Sequence, residues 1–465
     1  MRNTTFTVLL FGLSSLLAAQ SFTVLTPAEM DRIKAPLSAE KGIEATQNAL
    51  ADHAIRELTV DRALGNGQQH LFSDIIDVSG ITNQKSSGRC WLFAGLNILR
   101  PDVIDRYKLE EFEFSHNYLF FYDKLEKANL FLNYMIEWRE RDLEDRELQF
   151  LLDHPIGDGG QWNMVVDLVE KYGLVPMSAM PETYASSNTG DLNRLLQRKL
   201  RQSAARIRSA HSQGADLTAL LDIRTAALQD VYRLLVLTLG TPPESFTWRY
   251  ETTKGKVSDP VRYTPQEFRD ELVREPLSEY VYLLHDPNKT YWQTYAISLD
   301  RDLVETSDMR VVNIPLDALK AQTLSTVSAG TPVWFACDVG KDQWTNEGLM
   351  VRGIYAYEEL LGVNVDLTKA EQLLYGDSVP THAMVFVGVD REKGKARQWR
   401  VENSWGTDRG KDGYWLMDDA WFDQNLYGVI LPRRVLDSAT LKAAETDPVV
   451  VPPWDPMYAL IIGPQ

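Results

Sequence analysis

The chain has 465 residues, 44% of them hydrophobic, enough for a large core spread over two to four structural units. Lys and Arg total 48 against 65 Asp and Glu, a formal net charge of −17. Such an acidic field disfavours nucleic acid and anionic membrane as partners. Residues 1–20 carry one early positive charge, a short apolar run and small residues at Ala18 and Ala19. That order of features predicts a secretory signal peptide cut near Ala19, hence a secreted or periplasmic protein. No later stretch reaches about 18 continuous apolar residues, so the mature chain is expected to be soluble, with no membrane span.

Residues 21–75 read as a mixed, helical N-terminal arm, broken at Ala35-Pro36 and Gly65-Asn66-Gly67. Residues 76–245 read as a helical lobe. Its key stretch is Asn83–Ala94, a polar loop containing Gly88 that runs into an apolar helix, with Cys90 at the junction. That helix is expected to stop or kink at Pro101. Residues 109–152 look helical, and His116 within them reads as a packed histidine rather than a ligand. Asp158-Gly159-Gly160-Gln161-Trp162 predicts a turn before an amphipathic helix ending at Tyr172-Gly173. Gly159 and Gly160 would let a peptide backbone come close. Residues 190–240 predict a helical insertion whose alternating charges form a solvated face.

From Phe246 to residue 432 the texture turns to short β-rich pieces, at Phe246–Tyr250, Tyr280–Leu283, Met309–Val312, Val333–Phe335 and Gly413–Met417. Thr381–Val389 predicts a strand with His382 near its start, and Glu392–Lys395 a hairpin turn. Asn403 follows His382 by 21 residues, so the two can sit on neighbouring antiparallel strands. These pieces predict an antiparallel sheet or open barrel. Residues 433–465 complete the chain as an arm and tail. Helices first and strands later give an α+β fold.

A thiol at a helix start faces unpaired N–H groups and the positive end of the helix dipole, which favour the nucleophilic thiolate. Gln84, six residues upstream, can fold back and donate to an oxyanion beside the sulfur. Taken alone, Cys90 is equally a buried core thiol. His382 and Asn403 break the tie, because cysteine, histidine and asparagine in that chain order make the papain-like arrangement. Cys337 sits in an apolar strand, so both cysteines are expected to be free and only Cys90 reactive. Neither His-Glu-x-x-His nor Cys-x-x-Cys occurs, nor a G-x-S-x-G elbow or a P-loop, so no metal or cofactor is expected.

Six separated stretches, Gln84–Ala94, Tyr118–Glu126, Asp158–Trp162, Trp334–Lys341, Thr381–Met384 and Glu402–Gly406, resemble the bleomycin hydrolase / aminopeptidase C family. That family is a branch of the papain-like cysteine peptidases. The resemblance runs from about Ser73 to the end of the chain and includes Pro453–Met457. Ser87 stands where the commoner papain signature has its first cysteine. His382 lies 382 − 90 = 292 residues after Cys90, against about 130–150 in compact members, so the catalytic unit holds large insertions.

The resemblance implies a papain-like fold, with a helical lobe carrying the cysteine and a β-barrel-like lobe carrying histidine and asparagine. It implies Cys90 as nucleophile, held as a thiolate beside protonated His382, and Asn403 accepting from the imidazole Nδ1–H. Trp405 would shield that bond, while Gln84 and the Cys90 N–H would form the oxyanion hole. It implies an aminopeptidase acting on peptides through a thioester, assembled as a homohexamer, with the C-terminal tail in the cleft holding the substrate amine. Here the chain continues past Leu460 with Ile461–Gln465, where related chains tend to stop. An endopeptidase, an acyltransferase on the same fold, or a binding protein for peptide or single-stranded nucleic acid are the alternatives.

Overall fold

The computed structural model describes residues 23–38 and 40–462, so the leader read at residues 1–20 lies outside the described residues. The chain divides into two compact units at Leu58/Thr59. The first contains the helices Pro27–Ser38 and Ile43–Asp52. Residues 59–75, expected in the arm, belong instead to the larger unit. There Asp74 and Ile75 form a short strand opposite Val389 and Gly388.

In the larger unit helix α1, Cys90–Asn97, is buried along its whole length. Its sequence is apolar on nearly every face, which suits a helix packed all round. Pro101 does not end this helix. It sits in the first turn of α2, Arg100–Tyr107, where a missing N–H costs nothing. Helix α3, His116–Glu137, starts at Ser115, whose Oγ accepts from the Tyr118 N–H at 3.1 Å. Helix α4, Trp162–Tyr172, ends at Gly173 with φ 74. A Cβ there would meet the Pro265 backbone at 2.4 Å. The insertion is a hairpin of α5, Gly190–Ser212, and α6, Leu217–Leu239. Lys199 pairs across it with Asp230 at 2.6 Å.

The principal strands are β1 Tyr280–Leu284, β2 Arg310–Asn313, β3 Val333–Cys337, β4 His382–Glu392, β5 Lys395–Glu402, β6 Tyr414–Asp418 and β7 Leu426–Pro432. Among the described residues they are the spine of a twelve-stranded sheet, in the order β2-β1-β7-β3-β4-β5-β6. The sheet is mixed rather than purely antiparallel. β1 runs parallel to β2, β6 parallel to Leu349–Met350, and Val449–Val451 parallel to Gln293–Ile297. Phe246–Trp248 stays out of it, pairing with Val261–Tyr263 in a separate two-stranded sheet. The reason is aromatic packing: Trp248 stands edge-on to Phe268 at 5.1 Å and to Phe112 at 6.0 Å. The β4–β5 turn is the expected tight hairpin, with Lys393 and Gly394 both at positive φ.

Helices and sheet meet at α1. The Trp334 indole on β3 donates to the Trp91 carbonyl at 3.1 Å. Arg100 on α2 reaches Glu402 at the end of β5, 2.5 Å away, with both side chains buried. Arg100 also donates to the Ser79 and Gly80 carbonyls. Removing one partner of such a buried pair strands the other charge. Arg100→Met is therefore expected to cost about 3–5 kcal/mol, read as a lowered urea midpoint. An unchanged midpoint would show that the pair is not buried as described.

Candidate active site

Cys90 is the first residue of α1, 3% exposed. The loop before it is tied to the strand end carrying Asn403. The Gln84 N–H donates to the Ser404 carbonyl at 2.8 Å, and the Ser404 hydroxyl donates to Gln84 Oε1 at 2.6 Å. Gln84 Nε2 donates one hydrogen to the Ser87 carbonyl at 2.6 Å. A primary amide has two such hydrogens, so one remains for a ligand. Behind the loop, fully buried Arg89 forks onto Glu182 at 3.0 and 2.8 Å.

His382 opens β4, with Cys337 opposite it on β3. Its Nε2 lies 2.8 Å from Asn403 Oδ1, which also accepts from the Ser404 N–H at 2.8 Å. The expectation that Asn403 holds Nδ1 is corrected: it holds Nε2. Asn403 at the end of the neighbouring strand reaches the far edge of the ring, which leaves Nδ1 as the nitrogen not engaged by Asn403. The Trp405 ring lies 4.8 Å from the imidazole, tilted 32°. The backbone N–H of Ala383, next to His382, pulls the Cys90 thiol down. Cysteine, histidine, asparagine and tryptophan thus meet at one place.

Burial pushes the Cys90 thiol up to about 11, against the pull of the Ala383, Trp91 and Cys90 N–H groups. Burial takes His382 down to about 4, opposed by the hydrogen bond its ring donates to Asn403 Oδ1. Burial thus acts against charge on each group taken singly, while passing the proton from the thiol to the imidazole leaves the pair's net charge unchanged. Cys337 is a free, buried thiol like Cys90.

The glycine strip is where it was expected, but its nearest backbone is the chain's own. A Cβ on Gly159 would meet the Leu460 carbonyl oxygen at 1.9 Å, and one on Gly160 the Trp91 ring at 2.5 Å. The strip is held from behind by groups the motifs did not single out. Lys127 donates to the Gly159 carbonyl at 2.5 Å, and the Trp91 indole to the Asp158 carbonyl at 2.8 Å. Lys124 reaches the Gly157 carbonyl at 2.5 Å and the Asp158 carboxylate at 2.8 Å. Asp158 also accepts from the Gly88 N–H at 3.0 Å, Asn193 at 2.7 Å and the Thr189 hydroxyl. Burial alone would raise its carboxyl, but Lys124 and these donors hold it well below the usual range. Lys124 and Lys127 are three apart on one helix, a spacing that aims both at one target. A cavity of about 560 Å³ opens beside the strip, lined by Lys85, Gly88, Asp158, Asn193, Tyr458 and Ile461 among others.

His116 is buried and stacks on Phe93 at 3.6 Å, with its Nδ1 3.5 Å from Glu113 Oε1 and neither ring nitrogen in a hydrogen bond among the described residues. Among the described residues no group of three or more His, Cys, Asp or Glu is placed to hold a metal, and no helix is long and apolar enough to cross a membrane.

With these features in place, the whole chain can be set beside known proteins. Residues 24–458 match the model of the Peptidase C1-like family. Aminopeptidase C of Streptococcus thermophilus is 36% identical over 441 residues, covering 94% of this chain and 99% of that one. Bleomycin hydrolase of Mus musculus is 36% identical over 436 residues, covering 91% and 96%. The crystal structure of PepW from Lactobacillus rhamnosis HN001 superposes with a TM-score of 0.91 at 36% identity, covering 94% of this chain and 99% of that one. The fold and site define a papain-like cysteine peptidase. The chain belongs to the Peptidase C1-like family.

Near the tail lie two carboxyls that the chemistry does not use. Asp300 and Asp302 are fully buried, and none of their carboxyl oxygens has a hydrogen-bond partner among the described residues. Burial raises both well above the usual carboxylate range, helped at Asp300 by Asp308 and opposed by Lys127. A carboxyl raised on folding gives stability that is present below its unfolded value, about 3.9, and lost as pH climbs toward the folded value. Asp300→Asn is therefore expected to gain stability over the parent as pH rises from 4 to 8. Urea unfolding at both pH values checks this, and a difference that does not change with pH would contradict it.

Proposed function

We propose that this protein is a cysteine aminopeptidase that hydrolyses peptides through a Cys90–His382–Asn403 triad. The observation that carries the reading is the 2.8 Å contact between His382 and Asn403, with the Ala383 N–H beside His382 pulling down the thiol of the helix-start Cys90. In this mechanism Cys90 passes its proton to His382 as the sulfur attacks the carbonyl, so net charge at the pair is conserved. The Cys90 N–H and the spare Gln84 hydrogen receive the oxyanion. His382 then protonates the leaving amine and activates water against the thioester. Asn403 keeps the ring oriented, and Trp405 keeps water from that hydrogen bond. The relatives named Aminopeptidase C and Bleomycin hydrolase support the same reaction class.

The amino-terminal preference follows from space. Leu460 and Ile461 lie across Gly159, and we read the glycine strip as the stretch along which residues upstream of the scissile bond would run. A peptide whose chain ends near Cys90 avoids them. The leader-like residues 1–20 support export to the periplasm or the medium, and the family resemblance supports a homohexamer, both read by fractionation and by solution mass.

Cys90→Ala is expected to abolish hydrolysis while keeping the thermal midpoint, and activity retained in that variant would remove the mechanism. Gln84→Ala is expected to lower kcat about 10²–10³-fold through loss of one oxyanion donor, measured on a dipeptide amide. Comparing a free-amine peptide with its N-acetyl form tests the exopeptidase reading: equal cleavage of both would make the protein an endopeptidase.

A further inference from the structure

The tail is bolted at two nearly adjacent residues, one to the loop after β1 and the other to the start of α4. Asp455 caps the turn Pro456–Tyr458, its Oδ1 accepting from the Met457 N–H at 3.1 Å. Its Oδ2 lies 2.9 Å from Lys289 Nζ, which also meets Asp286 Oδ2 at 2.6 Å. The three side chains are only 9%, 16% and 7% exposed. Lys289 is presented from a rigid mount. Asn313, fully buried on β2, donates to the Asp286, Lys289 and Thr290 carbonyls at 3.0, 3.0 and 3.2 Å, and accepts from the Asp286 N–H at 2.8 Å. On the helical wall, buried Gln161 donates to the Met457 carbonyl at 2.6 Å. Three residues further on, the Leu460 carbonyl rests over Gly159.

We propose that Asp286–Lys289–Asp455 is a clasp that fixes the register of the tail across the cleft, making Lys289 a positioning residue that decides which peptides enter. The inference rests on the aminopeptidase reading above. With the clasp closed, the space needed by a residue upstream of the first one is filled by Leu460 and Ile461. Without the lysine, two buried carboxylates face each other with no cation between them, and the tail beyond Asp455 keeps only the Gln161 bond and the packing of residues such as Tyr458 on Phe150. The substrate class then widens from peptides with a free amino end to peptides blocked or extended there.

The experiment is the ratio of kcat/KM for a free-amine tripeptide to that for its N-acetyl form. In Lys289→Met the ratio is expected to fall roughly tenfold or more, the scale of losing one partner of a buried charge pair, through a gain on the acetylated peptide. Asp455→Asn keeps an acceptor for Met457 and should move the ratio the same way, and Lys289→Arg should restore it. A loss of packing alone would lower both rates and leave the ratio unchanged. If Lys289→Met does not fold, Asp455→Asn decides. An unchanged ratio in the folded variants, with a discriminating parent, overturns the clasp alone. A parent that cleaves both forms equally, or neither, overturns the aminopeptidase reading and the clasp with it.

Discussion

An anion taken out of water must be surrounded by donors or it will not stay ionised. Asp158 is 6% exposed, and its donors come from four directions: the Gly88 N–H two residues before the cysteine, Lys124 on α3, and Thr189 and Asn193 at the start of the helical insertion. Satisfying one carboxylate therefore fixes the cysteine loop against the glycine strip and the insertion against both. The 23-residue helices α5 and α6 look like an appendage in the sequence, yet the first of them supplies part of the cleft wall.

The site balances burial against reactivity. Both Cys90 and His382 are sealed, which pushes each toward its uncharged form. In the proposed mechanism, proton transfer between them would create two charges at once but no net charge, with a stabilising group beside each half. The Ala383 N–H serves the sulfur, and Asn403 serves the imidazole. The Gln84–Ser404 bond joins the loop bearing one partner to the strand end bearing the orienter, so the distance between them does not drift with the lobes.

Much of this was legible because the signals are local. Asn403 follows His382 through a tight turn, and the turn is written in Glu392–Lys395. Cys90 stands at a loop-to-helix junction visible from Gly88 and the apolar run after it. What was not legible depends on partners far away in the chain. Which ring nitrogen Asn403 holds depends on the side from which its strand reaches His382, and alternating residues do not record that. The two lysines under the glycine strip are ordinary charged residues in α3 until Asp158, Gly157 and Gly159 are brought above them. The parallel pairs in the sheet and the detachment of Phe246–Trp248 follow from tertiary packing that β-propensity does not encode. Pro101 signals a break correctly but belongs to the helix after it.

The links that draw the two walls together share one property. Gln84 and Ser404 are 320 residues apart, Arg100 and Glu402 302, Gln161 and Met457 296. Within each wall many contacts are local, such as the β4–β5 hairpin and the α5–α6 pair. Closing loops of that size carries an entropy cost that must be met before their contacts return any energy. Loop-closure entropy alone would place the seam between the walls after the local helices and hairpins. The proposed Cys90–His382 pair lies at that seam, so a chain in which each wall had formed without the seam would lack it.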